Sequence, residues 1–408
     1  MTAVSANSPL AVYFDNNATT PCDPQVVAEM LPYFSEQFGN PSSIHSIGAG
    51  VGPSIQKARA RVQALLGAGF DTEIVFTSGG TESDTTAIYS ALRSLPDRRE
   101  IITSAVEHHA VLTVCEYLEK NEGYKVHIIG VDGQGRLDME AYENALSEKV
   151  ALATFMWANN ETGTIFPIET LAQMAKPYGI LFHTDGVQAV GKVPMRLSNS
   201  AIDMLSLSGH KLHGPKGVGA LYLKRGVKFR PLLRGGHQER GRRAGTENTP
   251  GIVGLGKAAE LALSAMADEN TRVRALRDRL EREIVARIPC SIITGDTGQR
   301  LPNTTTIAFE YVEGEAILLL LSRAGIAASS GSACTSGSLE PSHVMRAMGI
   351  PFTAAHGATR FSLSRDSTNA DVDRVIEVMP GIIEKLRAMS PYWSVKNNAP
   401  ASFEPAYS

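Results

Sequence analysis

Short β-branched and apolar runs alternate with amphipathic stretches between residues 73 and 224. The runs at 73–78, 100–106, 125–131, 150–157, 180–185, 204–208 and 219–224 predict strands. Stretches such as 111–120 and 168–177 place apolar residues at helical spacing between them. This alternation predicts crossover units, hence an α/β fold with a mostly parallel sheet covered by helices on both faces. Ligands of such sheets bind beyond the carboxyl ends of the strands, a rule that weighs each motif below.

A long charged helical run at 251–288 follows, and after it the rhythm changes. A strand at 304–310, a helix at 314–324, a Gly/Ser loop at 329–338, a helix at 342–348, a strand at 359–363 and a helix near 370–389 predict a second, smaller α+β domain. The tail after Trp393, rich in Asn, Ala, Pro and Ser, is expected to fray.

Composition narrows the function classes. Of 408 residues, 43% are hydrophobic and 20% charged, as in a soluble globular protein. Lys plus Arg number 39 and Asp plus Glu 42, a net charge of −3 that exerts no general pull toward nucleic acid or anionic membrane. Cys22, Cys115, Cys290 and Cys334 are scattered without a CxxC pair, which argues against a disulfide framework or cysteine zinc site. No apolar run reaches the roughly 18 residues of a spanning helix. The polar, uncharged start is unlike a secretion signal, so a cytoplasmic setting is expected.

Several segments carry candidate chemistry. A strand leads into Gly79-Gly80-Thr81-Glu-Ser83 and a helix, which suits either a phosphate cradle or an ordinary cap by Thr81 or Ser83. Asp185, in His183-Thr-Asp-Gly-Val-Gln188, stands at a strand's carboxyl end, where it can meet a ligand cation or cap the next helix; taken alone it reads as a cap. Ser208-Gly-His210-Lys211 follows another strand; a crowded lysine there is either a desolvated nucleophile or a surface residue. His210 and His213 lack the acidic partner of an HExxH zinc helix. The segment 234–248 is basic but has no interleaved aromatics for stacking on bases, which favours an anion-binding loop or subunit contact. Gly254-Leu-Gly-Lys-Ala-Ala resembles a dinucleotide fingerprint in its letters, but no strand precedes it. Cys334 sits in Ser330-Gly-Ser-Ala-Cys-Thr-Ser-Gly-Ser, a run that buries a thiol poorly and reads as a nucleophile's loop. Cys115 falls in an apolar helix and reads as core.

Together these motifs resemble the pyridoxal-phosphate cysteine desulfurases, fold-type I enzymes of the class V aminotransferase superfamily. The likeness runs from Tyr13-Phe-Asp-Asn-Asn-Ala-Thr-Thr to about Trp393. Leu232-Leu-Arg-Gly-Gly-His-Gln-Glu-Arg-Gly-Arg-Arg and the ending Ser390-Pro-Tyr-Trp are most similar to the NifS type of nitrogen-fixing bacteria. The resemblance implies that Lys211 holds pyridoxal 5'-phosphate as a Schiff base and moves the substrate's α-proton. It implies that Asp185 faces the pyridine nitrogen, Gln188 the phenolic oxygen, and His108 the ring, as acid or base. Without it, His108 reads as a strand-end histidine of no role. Gly80, Thr81, Ser208 and His210 would hold the phosphate, with Thr246 from a second subunit of a homodimer. Asn160 would lie near ring and substrate, and Arg360 would pair with the substrate carboxylate. Cys334 would take sulfur from L-cysteine as a persulfide, releasing L-alanine. An iron–sulfur scaffold protein would accept the sulfur, in nitrogenase assembly by the NifS likeness, and a transferred iron–sulfur cluster at Cys334 is the one metal contact implied. The expected division is an arm of residues 1–20 packing with the small domain, a large cofactor-binding domain 21–262, and a small domain 263–408 carrying the cysteine loop. The rival readings are a selenocysteine lyase or transaminase of the same fold, and a non-catalytic scaffold.

Overall fold

A strand buried on both faces must be apolar nearly throughout, and every residue of Val150–Met156, Met204–Ser208 and Gly219–Leu223 is buried. The computed structural model describes residues 12–330, 341–394 and 399–400. Its first thirteen strands are β1 (Val12–Tyr13), β2 (Ile74–Thr77), β3 (Glu100–Ser104), β4 (Lys125–Ile129), β5 (Val150–Met156), β6 (Leu181–Asp185), β7 (Met204–Ser208), β8 (Gly219–Leu223), β9 (Ser291–Thr294), β10 (Thr304–Phe309), β11 (Ile326–Ala327), β12 (Ser329–Ser330) and β13 (Ala358–Ser362). The large sheet has the order β2-β8-β7-β6-β5-β3-β4. Only β8 runs against the others, so the expected mostly parallel α/β sheet is present. Its faces are covered by helices such as Gly80–Ser94, His109–Glu122 and Ile168–Ala175.

A second, antiparallel sheet has the order β12-β13-β10-β9. The half-buried edge strand β9 was not predicted; its short run follows Cys290, whose φ of 53° turns the chain sharply. The long run predicted at 251–288 is helical but not uniform. The helix Thr249–Asp268 passes through a π-helical turn, Glu269–Val273, into Arg274–Arg287. Ala262 packs in the core under the large sheet and Val273 in a second core, so the wide turn lies where the helix changes cores. The glycines of the discarded fingerprint serve packing: a Cβ on Gly256 would come within 2.5 Å of Ala58 Cα in the helix Gly52–Leu66.

The N-terminal arm joins the second core. β1 pairs in parallel with β11, Asp15 bridges to Ser362 of β13, and Val12 and Phe14 are buried among Leu280, Ile307 and Phe361. Phe14 is 0% exposed. Phe14→Ala should therefore cost about 3–5 kcal/mol, read as a lower unfolding midpoint in a denaturant melt. An unchanged midpoint would mean that the arm adds nothing to this core.

Candidate active site

Parallel pairing aims strand ends in one direction. Asp185 ends β6, Ser208 ends β7, Met156 ends β5 and Ser104 ends β3, each running into a loop on the same side. β2 leads there through Gly79 into the helix Gly80–Ser94. These ends surround a cavity of about 540 Å³, and β13 adds Arg360 to its wall. The cavity gathers Gly80, Thr81, His108, Asn160, Asp185 and Gln188, and with them Ser208, His210, Lys211 and Arg360. Two expected residues stand apart. Thr246 is exposed and does not line this cavity. Cys334 lies outside the described residues, as do Gly331 and Gly337 beside it.

The competing local readings resolve on geometry. Gly79 holds the N-cap position with no side-chain cap, so Thr81 is no cap; Ser83 bonds back to Thr77 and the Gly79 carbonyl. The first turn of this 15-residue helix thus presents unpaired N–H groups at the cavity. A Cβ on Gly80 would meet Val187 Cγ2 at 2.9 Å, so glycine lets the turn approach. Asp185 does brace its own turn, accepting from the Val187 N–H at 2.9 Å, yet it also forms the cavity wall. Lys211 is half-buried, and its Nζ donates to the carbonyls of Asn17 (2.5 Å) and Ala18 (2.7 Å). His108 caps the helix His109–Glu122 by accepting the Ala110 N–H at Nδ1, which leaves Nε2 as its other ring nitrogen.

Burial sets the charge states. It pushes the Asp185 carboxyl up, against the pull of the Val187 N–H, His108 and Lys211. Asp84 is held well above the carboxylate range by burial and by Asp185 and Glu107 nearby, and Glu107 is pushed up to about 8, chiefly by burial. His183 lies fully buried between Thr154 (2.8 Å) and Ser206 (2.9 Å), and burial lowers it to about 3. His108 is also pulled down, mainly by burial, and His210 falls to about 4 through burial, Lys211 and Lys216.

Several wall residues were not singled out from sequence: Asn17, Asp84, His109, Glu161, Ser342 and His343. Asn17 lay within the quoted stretch that starts at Tyr13, which was the available signal. Ser342 donates to Glu161 at 2.6 Å, and His343 Nε2 lies 2.9 Å from the carbonyl of Glu107. Among the described residues no group of three His, Cys, Asp or Glu suits a metal ion; His210 meets Thr19 while His213 lies by Asp366. Cys115 is buried, and its thiol is pushed up to about 12 by burial.

The site fits pyridoxal phosphate on its own chemistry. It offers an anion-receptive helix end, a buried carboxyl, a lysine amine and two buried polar atoms, Gln188 Oε1 and Arg360 Nε, without partners among the described residues. Gly80, Thr81, Ser208 and His210 would take its phosphate, Asp185 and Gln188 its ring, and Lys211 its carbonyl carbon.

Comparison with known proteins agrees. The family model described as aminotransferase class-V matches residues 12–375. A cysteine desulfurase of Gluconacetobacter diazotrophicus is 67% identical over 397 residues, covering 97% of this chain and 99% of that protein. The cysteine desulfurase NifS of Azotobacter vinelandii is 64% identical, covering 97% and 99%. A solved structure of a NifS-like protein superposes with a TM-score of 0.85 at 38% identity, covering 92% of this chain and 99% of that one. With a matching family model along most of its length and such relatives end to end, the chain belongs to the class-V aminotransferase family, among its pyridoxal-phosphate-dependent cysteine desulfurases.

Proposed function

We propose that this protein takes the sulfur of L-cysteine onto Cys334 as a persulfide, releases L-alanine, and passes the sulfur on for iron–sulfur cluster assembly, with nitrogenase as the setting suggested by its NifS likeness. The observation that carries the reading is the meeting of Lys211, Asp185 and Arg360 in one cavity, from the loop after β7, from β6 and from β13 respectively. Bound pyridoxal phosphate supplies an electron sink for the pair left when a bond at the substrate's Cα breaks. Lys211 anchors the cofactor and carries the α-proton. Asp185 is the anion that holds the pyridinium, and burial, which favours the protonated forms of Asp84 and Glu107, limits like charge around it. His108, kept mostly neutral, can give or take a proton at Nε2. Arg360 binds the substrate carboxylate, and the Cys334 thiolate attacks the substrate sulfur, so that the C–S bonding pair stays with carbon and is then protonated to give alanine.

Two features support a homodimer. Leu31, Phe34, Phe38, Ile44 and Ile47 are exposed within residues 24–49, an apolar surface that a second copy would cover. Thr246 is exposed near Arg243, which pairs at 2.9 Å with Glu82, the neighbour of Thr81. That position suits the reading of Thr246 as a partner-facing phosphate ligand. No helix among the described residues is long and apolar enough to cross a membrane.

Cys334→Ala should retain the cofactor's colour and its spectral shift with L-cysteine, yet lose alanine and sulfide production. Mass spectrometry after one wild-type turnover without reductant should find one added sulfur on the Cys334 peptide; alanine formed by Cys334→Ala at the wild-type rate would refute the mechanism. Mixing a Thr246 variant with a Lys211 variant should restore part of the activity, because one hybrid site has both residues intact; a fully active monomer is the contrary result. The buried acid gives a pH test. Glu107 binds its proton in the folded state up to about pH 8 but loses it near 4.5 when unfolded. Wild-type stability should therefore fall relative to Glu107→Gln as pH rises from 4.5 to 8, and level off beyond. A pH-independent gap in denaturant melts would show that Glu107 is ionised in the fold.

A further inference from the structure

Arg360 is 3% exposed and lines the cavity. Its Nη1 donates to the Asn160 carbonyl at 2.8 Å and its Nη2 to Asp15 Oδ1 at 3.0 Å. Its Nε has no partner among the described residues. Asp15 is not among the residues lining the cavity, so it reaches the guanidinium from outside the wall. The position of Asp15 is fixed by its bridge to Ser362, two residues along β13 from Arg360. The next turn of the arm holds the other support: Asn17 Nδ2 donates to the same Asn160 carbonyl at 3.1 Å.

We propose that Asp15 is a positioning residue for substrate recognition: it fixes the Arg360 guanidinium so that the remaining N–H groups meet the carboxylate of an amino-acid substrate. This rests on the reading of Arg360 as the carboxylate-binding group. A guanidinium is a rigid plane with five donors, so holding both Nη corners fixes the whole fork. A buried cation also needs a counter-ion when no substrate is present, and Asp15 is the carboxylate paired with it. Because Asp15 binds from outside the cavity, it orients the fork without occupying the substrate's side. Loss of Asp15 leaves the guanidinium held at one corner, free to turn toward other acceptors.

The test compares L-cysteine with cysteamine, which is cysteine without its carboxylate. Each is added to the cofactor-loaded protein by rapid mixing, and binding is read from the shift in visible absorbance, with KM and kcat measured alongside. Asp15→Ala should weaken L-cysteine binding by about tenfold or more, since hydrogen bonds to charged groups are of that strength. It should raise KM more than it lowers kcat, and leave cysteamine binding unchanged. Asp15→Asn keeps an acceptor oxygen and should recover part of the loss. In an Arg360→Ala background, Asp15→Ala should weaken L-cysteine binding no further. Equal weakening of both ligands would overturn the proposal and mark Asp15 as merely structural. Tighter L-cysteine binding by Asp15→Ala would overturn it by showing Asp15 to be a competitor. If Arg360→Ala alone binds L-cysteine like the wild type, the premise about Arg360 fails, a result separate from either of these.

Discussion

The parallel pairing of β5, β6 and β7 is the constraint on which the site depends. Met156 stands opposite Asp185, and Asp185 opposite Ser206, so the register sets where the strand ends emerge. A slip of one residue would turn Asp185 to the other face of the sheet and bury its carboxyl among helices. The strands can afford no slip because both faces are packed: every residue of β5 and β7 is buried. Apolar packing that never touches a ligand therefore aims the chemical groups.

Charge inside the fold is arranged around that floor. Three buried acids, Asp84, Glu107 and Asp185, influence one another, and burial favours their protonated forms. His183, between two hydroxyls, cannot offset them, because burial keeps it neutral. Of the three, only Asp185 has His108 and Lys211 drawing it toward ionisation, which suits the role proposed for it. Elsewhere buried charge is neutralised by direct pairing. Arg59 grips Glu239 through both nitrogens at 2.8 and 2.6 Å, and Glu239 also accepts the Phe76 N–H, which ties the basic loop to β2 just ahead of the Gly79 turn.

The arm is the joint between the two cores. Asn17 is 2% exposed; its side chain bonds Asn160 and Thr304, while its carbonyl receives Gln188 and Lys211. One short segment thereby touches the lysine's loop, the Asn160 turn and the small sheet. Its sequence is polar because it has backbone and amide groups of three elements to satisfy.

How much was legible beforehand follows from the range of the forces. Strand positions from 73 to 224 were readable because continuous apolar runs report burial on both faces, and the seven predicted runs pair in one sheet. Asp185, Ser208 and Lys211 were readable as strand-end residues, since the carboxyl-end rule needs only local sequence. The edge strand β9 and the π-helical turn were not, because neither leaves an apolar period of its own. Glu239 lay in a segment read as an anion-binding loop or subunit contact, yet it is buried, because Arg59 comes from 180 positions away. The same limit hid Asp15 and Asn17: their partners Arg360 and Asn303 lie 345 and 286 residues along the chain. The sequence by itself determined which segments form the strands of the large sheet and which residue types stand at their ends. Only the tertiary structure decided which of those ends share a wall, because that depends on pairings between residues the chain keeps far apart.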